Sequence, residues 1–460
     1  MKALRSYLKK HLSLLSIVLI CLTITEVHLN LMRHKQHQVI AWDVAGYYSY
    51  LPAAFIEQDL KLSFINAENR QDYYGVKYAY LDDAAGNHVF KYSMGMAVLY
   101  APFFFTAHLL AEPLGYTADG YSEIYHLFIE YSGLFYLLFG LLFLRRLLRM
   151  YYSENITAIC LFTIYFGTNL LCYTTIDPAM SHAYTFSLFA ALLYYVVTYY
   201  QSPKWSHVWI MGILSGLIVL IRPLNVFFLL AIVLVGVTNI TTLKQRLNFI
   251  KTHYQDVLLF ILIIGLTVSP QLLYWHTVTG HYLVFSYGAE GFFFGHPHIL
   301  ECLLGFRKGW LIYSPVFFFS LAGLYAMRTQ RSKDFGSLHL VLLPLYIYVV
   351  ASWWCWWYGG SFSLRPMIDL YPLLTISLAA CIFRIQSLSK TPRYLFSGIL
   401  ICFIALNIYQ TFQYKYNIIH YDAMTARSYV NALGKMSRSE TDTSLLDHPD
   451  YDRALKGLGD

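Results

Sequence analysis

The sequence predicts an all-α polytopic membrane protein, and three observations predict it. Of the 460 residues 57% are hydrophobic and only 13% charged, against roughly a quarter charged in a soluble domain. Apolar runs of about twenty residues, enough to cross the ~30 Å hydrocarbon layer as helix, recur along the whole length. Lysine and arginine fall in short bursts between alternate runs, the pattern of loops retained on the cytoplasmic side.

The first run, 12–31, follows Lys2, Arg5, Lys9 and Lys10. Its length and the lack of a small-residue cleavage site make it a retained span rather than a signal peptide. Further spans are expected near 122–147, 156–174, 183–200, 206–221, 224–240, 257–275, 311–327, 337–355, 367–385 and 394–412, about eleven in all. With a cytoplasmic N-terminus, the short inner segments carry Arg145, Arg146 and Arg149, then Lys204, then Lys244, Arg246 and Lys251, then Arg328, Arg331 and Lys333, then Arg384, Lys390 and Arg393. Most carboxylates fall in the opposite loops, which places the C-terminus outside. The apolar segment 94–113 breaks the pattern, because counting it as a span would carry the 145–149 arginines outward. With Pro102, His108 and Glu112 inside it, it is expected to lie in the outer interface.

A transmembrane domain over 1–412 therefore presents two large extracytoplasmic loops, 32–121 and 276–310, followed by a polar tail over 413–460 whose composition predicts partial disorder. Long outer loops beside minimal inner ones place the work outside the cell membrane. The net charge of +7 is dispersed between apolar runs, which excludes a nucleic-acid partner. Seven cysteines without C-x-x-C spacing offer neither a disulfide framework nor a zinc site. His296 and His298 lack a third ligand, Asp450 and Asp452 read as solvated, and no cofactor or metal is expected. No phosphate-cradling glycine loop argues for an ATP-driven pump.

Ionisable groups at span ends mark candidate sites. Asp43 lies in AWDVAGYYSYLPA, where desolvation by Trp42, Tyr47, Tyr48 and Tyr50 would raise its pKa toward that of a general base; it also reads as a loop carboxylate held in an aromatic belt. Lys91 opens KYSMGMAVLYAPF, placed either to meet a lipid phosphate or to anchor the chain at the interface. Asp177 and His182 stand in the turn TTIDPAMSHAY, where a carboxylate before proline is equally a turn former. Arg222 joins two apolar runs in LIVLIRPLNVFF and must face protein, phosphate or water. Arg365, in WWCWWYGGSFSLRPMIDLYP, suits bidentate phosphate contact or packing against Asp369, Trp356 or Trp357.

Taken in order, these stretches resemble the GT-C superfamily of membrane glycosyltransferases, nearest the branch of protein O-mannosyltransferases and the lipid A aminoarabinose transferase (family 39-like). The resemblance runs over about the first 375 residues. It is carried by WDVAGYYSYLP, the K-Y-x-x-G-x-A-x-L-x-x-P segment from Lys91, I-D-P-x-M-S-H, the G-x-x-x-G-x-x-x-x-x-R-P stretch from Gly212 to Pro223, RKGWLIYSP and WWYGGSFSLRP. The resemblance implies a GT-C fold. It also implies transfer of a sugar from a polyprenyl phosphate to a hydroxyl of a lipid, glycan or protein, with inversion.

In that family the first-loop carboxylate activates the acceptor, a place that Asp43 holds, and Asp177 resembles a second carboxylate. Lys91, Arg365 and Arg222 match the cations on the donor phosphate. Tyr47, Tyr48, Tyr92, His182 and Trp357 are expected to line the pocket. The sequence lacks the first-loop D-x-D of the metal-dependent branch, so no metal is expected. The rival class is a transporter or flippase of an anionic lipid, which matching broken helices in two halves would favour; the sequence has no such symmetry.

Overall fold

The computed structural model describes residues 10–65, 79–82 and 86–459. The basic residues Lys2, Arg5 and Lys9 fall outside them. Among the described residues eight helices are long and apolar enough to cross a membrane: α1 (Leu12–Leu31), α4 (Gly95–Leu114), α5 (Glu123–Arg149), α7 (Ser181–Gln201), α9 (Tyr254–Thr279), α11 (Arg331–Ala351), α12 (Arg365–Gln386) and α13 (Lys390–Lys415). The shorter apolar helices are α6 (Glu154–Phe166), α8 (Trp205–Ile221), the Pro223–Leu234 segment and α10 (Phe317–Met327). Two small helices, α2 (Trp42–Tyr48) and α3 (Tyr50–Phe55), lie in the first loop. The protein is thus a mostly helical, membrane-embedded chain.

Every expected span falls on helix, but three are interrupted. The 156–174 run stops at Gly167 and resumes only at Cys172–Thr175. The 311–327 run breaks at Ser314, which leaves the helical region because Pro315 follows it. The 224–240 run is helical only to Leu234. The segment expected in the interface, α4, has the length and hydropathy of the other membrane-length helices. Its N-terminus rests on the carbonyl end of α8, where a Cβ on Gly95 would stand 2.3 Å from the Ile221 backbone nitrogen.

Packing is pairwise: α10 on α12, α5 on α7, α8 on α9 and α1 on α6. The α12 helix is almost wholly enclosed, whereas α9 is the least enclosed of the long helices and forms an outer edge. Small residues allow the close approaches, as expected where lipid supplies no hydrophobic drive between helices. A Cβ on Gly323 would lie 1.8 Å from the Ser377 carbonyl oxygen, and one on Gly140 would collide with Ser187.

Polar contacts fix the two ends of α1. At its start the Ser13 amide donates to Glu154 at 2.9 Å, and Glu154 also pairs with Arg149 at 3.0 Å and Arg145 at 3.7 Å. Beyond its other end Arg33 pairs with Asp177 at 3.1 Å. The basic 145–149 segment and the Asp177 turn therefore lie a helix length apart, about 30 Å.

The first loop adds a feature that its sequence did not announce, a short antiparallel hairpin pairing Tyr80 with Phe90 and Asp82 with His88. Phe90 stacks on Tyr50 at 4.0 Å, and its amide donates to the Tyr274 hydroxyl of α9 at 2.9 Å. The tail also departs from expectation. Its polar sequence folds into turns and short helices, Ala426–Ala432 and Tyr451–Leu455, that bury Ala423, Met424 and Ala454. The fully buried Lys308 donates to the carbonyls of Ser361 and Tyr421 and so pins the tail to the helical body.

Gly323→Ala tests the closest helix contact. The added methyl has only backbone in front of it, so α10 and α12 must separate. The expected loss is about 1–3 kcal/mol, read as a lower midpoint of thermal unfolding in detergent.

Candidate functional site

A cavity of about 1350 Å³ opens between the first loop, α8, α9, the 284–292 stretch and the tail. It exceeds the ~300–1000 Å³ typical of a pocket for a drug-sized ligand. Its walls carry the cations Arg33, Lys91, Arg222, Arg365 and Lys415 and the carboxylates Asp43, Asp177, Glu290 and Asp422. Leu31, Trp275, Val284, Phe285 and Phe292 add apolar surface to its lining.

Asp43 enters the cavity from the first turn of α2. Trp42 before it has φ +52° and is 85% exposed; a bulky residue in this left-handed region costs roughly 1–3 kcal/mol. The strained residue sets the angle at which α2 begins. The carboxylate is held on both oxygens: Arg365 Nη2 pairs with Oδ2 at 2.9 Å, and the Tyr92 hydroxyl donates to Oδ1 at 2.7 Å. Tyr92 can reach it because residue 46 is glycine, where a Cβ would stand 2.5 Å from the Tyr92 ring.

This setting reverses one expectation. Burial does work to raise the Asp43 carboxyl, but Arg365, the Tyr92 hydrogen bond and Arg222 outweigh it and hold the carboxyl below its ordinary value. Burial and then the Asp43 charge push the Tyr92 hydroxyl up, so it remains a donor. Aromatic neighbours alone would have favoured the neutral acid; the guanidinium, distant in sequence, decides the sign.

Each of the other cavity cations just named, apart from Arg222 and Lys415, meets a carboxylate. Lys91 pairs with Glu290 and Arg33 with Asp177. Arg222, at the end of α8, reaches only a hydroxyl, with Nη2 donating to Tyr47 at 3.4 Å. Among the described residues no carboxylate lies within 4.0 Å of it. Tyr47 in turn packs its ring at a 54° tilt against that of Tyr92, with centroids 4.6 Å apart.

The structure thus brings Asp43, Asp177, Lys91, Arg222, Arg365, Tyr47 and Tyr92 to one cavity. It sets three expected pocket residues behind the wall. Tyr48 is buried and donates to the Gly120 carbonyl. His182 is fully buried, with Nδ1 2.9 Å from Asp369, whose other oxygen accepts from the cavity-lining Tyr346 at 3.0 Å. Trp357 donates to Tyr451, which lines the cavity, at 3.4 Å. Arg365 pairs with Asp43 rather than with Asp369.

Sequence reasoning missed Arg33, Glu290, Tyr287, Trp353 and Tyr451, all on the wall. Only Arg33, just past α1, carried a usable signal, as a charge at the end of a span. No family model, curated protein or solved structure matches the chain.

Because the folded Asp43 carboxyl ionises below its ordinary 3.8, its stabilising effect is complete above that pH and drains away as pH falls through the folded value. Asp43→Asn is expected to unfold more easily than wild type in detergent at neutral pH. The gap between them should close on acidification below 3.8, as followed by tryptophan fluorescence.

Proposed function

We propose that the protein is a membrane glycosyltransferase that moves a sugar from a polyprenyl-phosphate donor to an acceptor hydroxyl. The observation that carries the reading is the union, in one large cavity with apolar residues in its lining, of an ionised carboxylate and an arginine that no carboxylate contacts. The polar residues of its lining suit a phosphate and a sugar, and the apolar ones, Trp275 of α9 among them, suit a lipid chain. The order of the sequence stretches that resemble the GT-C superfamily supports the same reading.

In this reading the donor phosphate takes its place between Arg222 and Arg365. Arg365 turns part of its hydrogen-bonding capacity from Asp43 to the phosphate, which weakens the pair that keeps Asp43 a poor base. The Asp43 carboxylate then accepts the proton of the acceptor hydroxyl as that oxygen attacks the anomeric carbon. The bond from that carbon to the phosphate oxygen breaks, and inversion follows. Polyprenyl phosphate leaves with its electron pair on oxygen, stabilised by the fixed guanidinium charges. Lys91 is already neutralised by Glu290, and Asp177 holds Arg33 in the cavity lining. The acceptor is a lipid, a glycan or a protein hydroxyl, and the active site faces away from the cytoplasm.

Membrane vesicles containing wild type or Asp43→Asn, supplied with polyprenyl phosphates charged with different radiolabelled sugars, test the chemistry. Wild type is expected to transfer label, and the variant, at equal abundance, to be about 10²–10⁴-fold slower, the span of a general-base contribution. Undiminished transfer by the variant would remove Asp43 from the reaction. Lipid movement across the bilayer without transfer from any donor would point to the flippase instead.

A further inference from the structure

A cluster of ionisable groups that the proposed chemistry does not use joins α1, α5 and the cavity turn. Glu130 of α5 and His28 of α1 are both fully buried, and His34, in the turn after α1, is only 7% exposed. His34 Nδ1 stands 2.7 Å from Glu130 Oε2 and donates to it. His28 Nε2 stands 3.1 Å from the Thr174 carbonyl oxygen. A carbonyl only accepts, so Nε2 carries the His28 ring proton and Nδ1 keeps a lone pair. That Nδ1 and the remaining carboxyl oxygen, Glu130 Oε1, face each other at 3.9 Å. Both atoms are buried, and neither has a hydrogen-bond partner among the described residues.

Two buried acceptors that face each other leave one proton to be accounted for. An ionised Glu130 would bury a carboxylate with one oxygen bare, which is costly. A proton on Oε1 satisfies every atom at once: Oε1 donates to His28 Nδ1, Oε2 accepts from His34, and no net charge is buried. The pair stands roughly 1 Å outside hydrogen-bond reach, a gap that the broad terminal torsion of a glutamate side chain can close. The other charged and titratable groups nearby leave Oε1 bare. Arg33 acts on both His28 and Glu130 through its charge. The Tyr131 ring lies edge-on to His28, with centroids 5.6 Å apart. His126, one turn back on α5, accepts the Ile40 amide on Nδ1 and sets its ring against His37.

We infer that His28 and Glu130 form a proton-binding site, with the proton on Glu130 Oε1 at neutral pH, and that this proton keeps Arg33 on the cavity turn. Arg33 spends its Nη groups on Asp177 at 3.1 Å and on the carbonyls of Ile176 and Gln38. All four residues line the cavity. Its Nε is buried without a partner. With Glu130 neutral, Asp177 is the one carboxylate among the described residues that pairs with Arg33. Removal of the proton puts a second, buried carboxylate under the influence of the same guanidinium, which then divides between the two. Thr174, whose carbonyl accepts from His28, belongs to the same turn as Asp177, so the proton and the cavity turn are tied together. The site makes that turn responsive to alkaline pH, whatever the cavity binds.

Infrared spectroscopy of the full-length protein in detergent tests the site. At neutral pH wild type is expected to show the stretch of a protonated carboxyl group, which shifts when the protein carries isotope-labelled glutamate and is missing from Glu130→Gln. Glutamine can donate to His28 and accept from His34, so the variant should fold and unfold at or above the wild-type midpoint. At alkaline pH the wild-type band should fade. The backbone amides of 174–177 should then exchange hydrogen faster in wild type than in Glu130→Gln, while the two exchange alike in mild acid. Absence of a label-sensitive acid band from wild type, a measurement that needs no variant, would overturn the inference and leave an ionised Glu130 bridged to His28 by water. Equal exchange at alkaline pH, with the band lost, would overturn the link to Arg33 and the cavity turn.

Discussion

A guanidinium enclosed by apolar helices must be answered by negative charge, by hydrogen-bond acceptors or by water. This requirement organises the cavity. Arg365 is answered by Asp43 and Arg33 by Asp177, and each pair ties elements far apart in the chain. Arg222 alone among the cavity arginines touches only a phenol, with the charges of Asp43 and Asp369 acting on it from farther off. In the proposed reading its free hydrogen-bonding capacity is left for the donor phosphate, and the apolar residues of the same lining suit the lipid attached to it.

The same pairs control reactivity. Asp43 sits where burial and guanidinium charge act in opposite directions, and the charge prevails. The empty-handed state of the site is therefore one in which the carboxylate is ionised and restrained. In the proposed reading an anion that competes for Arg365 loosens that restraint, which would make arrival of the donor and activation of the base one event. Behind the wall, His182 and Asp369 continue a buried chain of hydrogen bonds to the cavity-lining Tyr346.

Much of this was legible in the sequence. Every expected span falls on helix, three of them with breaks, because an apolar run has few other ways to satisfy its backbone in lipid. Asp43, Arg222 and Arg365 could be picked out because charge at a span end is rare. The partners could not: Glu290 and Arg33 lie in polar stretches where charge is ordinary, and nothing in the order of residues says that Arg365 crosses to Asp43 rather than to Asp369 four positions on. Tyr48 and Trp357 were misjudged for a related reason, since an aromatic residue beside a site residue points into the wall as often as into the space. The hairpin at Tyr80–Asp82 and His88–Phe90 is too short to leave an alternating pattern, and the tail's order depends on Lys308, a single buried cation outside it.

The claim on which the account rests is that the cavity recognises a lipid-borne anion through Arg222. The direct measurement is equilibrium binding of a polyprenyl phosphate and of the matching uncharged polyprenol to wild type and Arg222→Gln in nanodiscs. The account predicts that wild type prefers the phosphate and that the variant loses most of that preference, by at least about tenfold, the ~1.5–3 kcal/mol of a charge-assisted contact. Equal binding of the two lipids by wild type, or a preference unchanged in the variant, would contradict it.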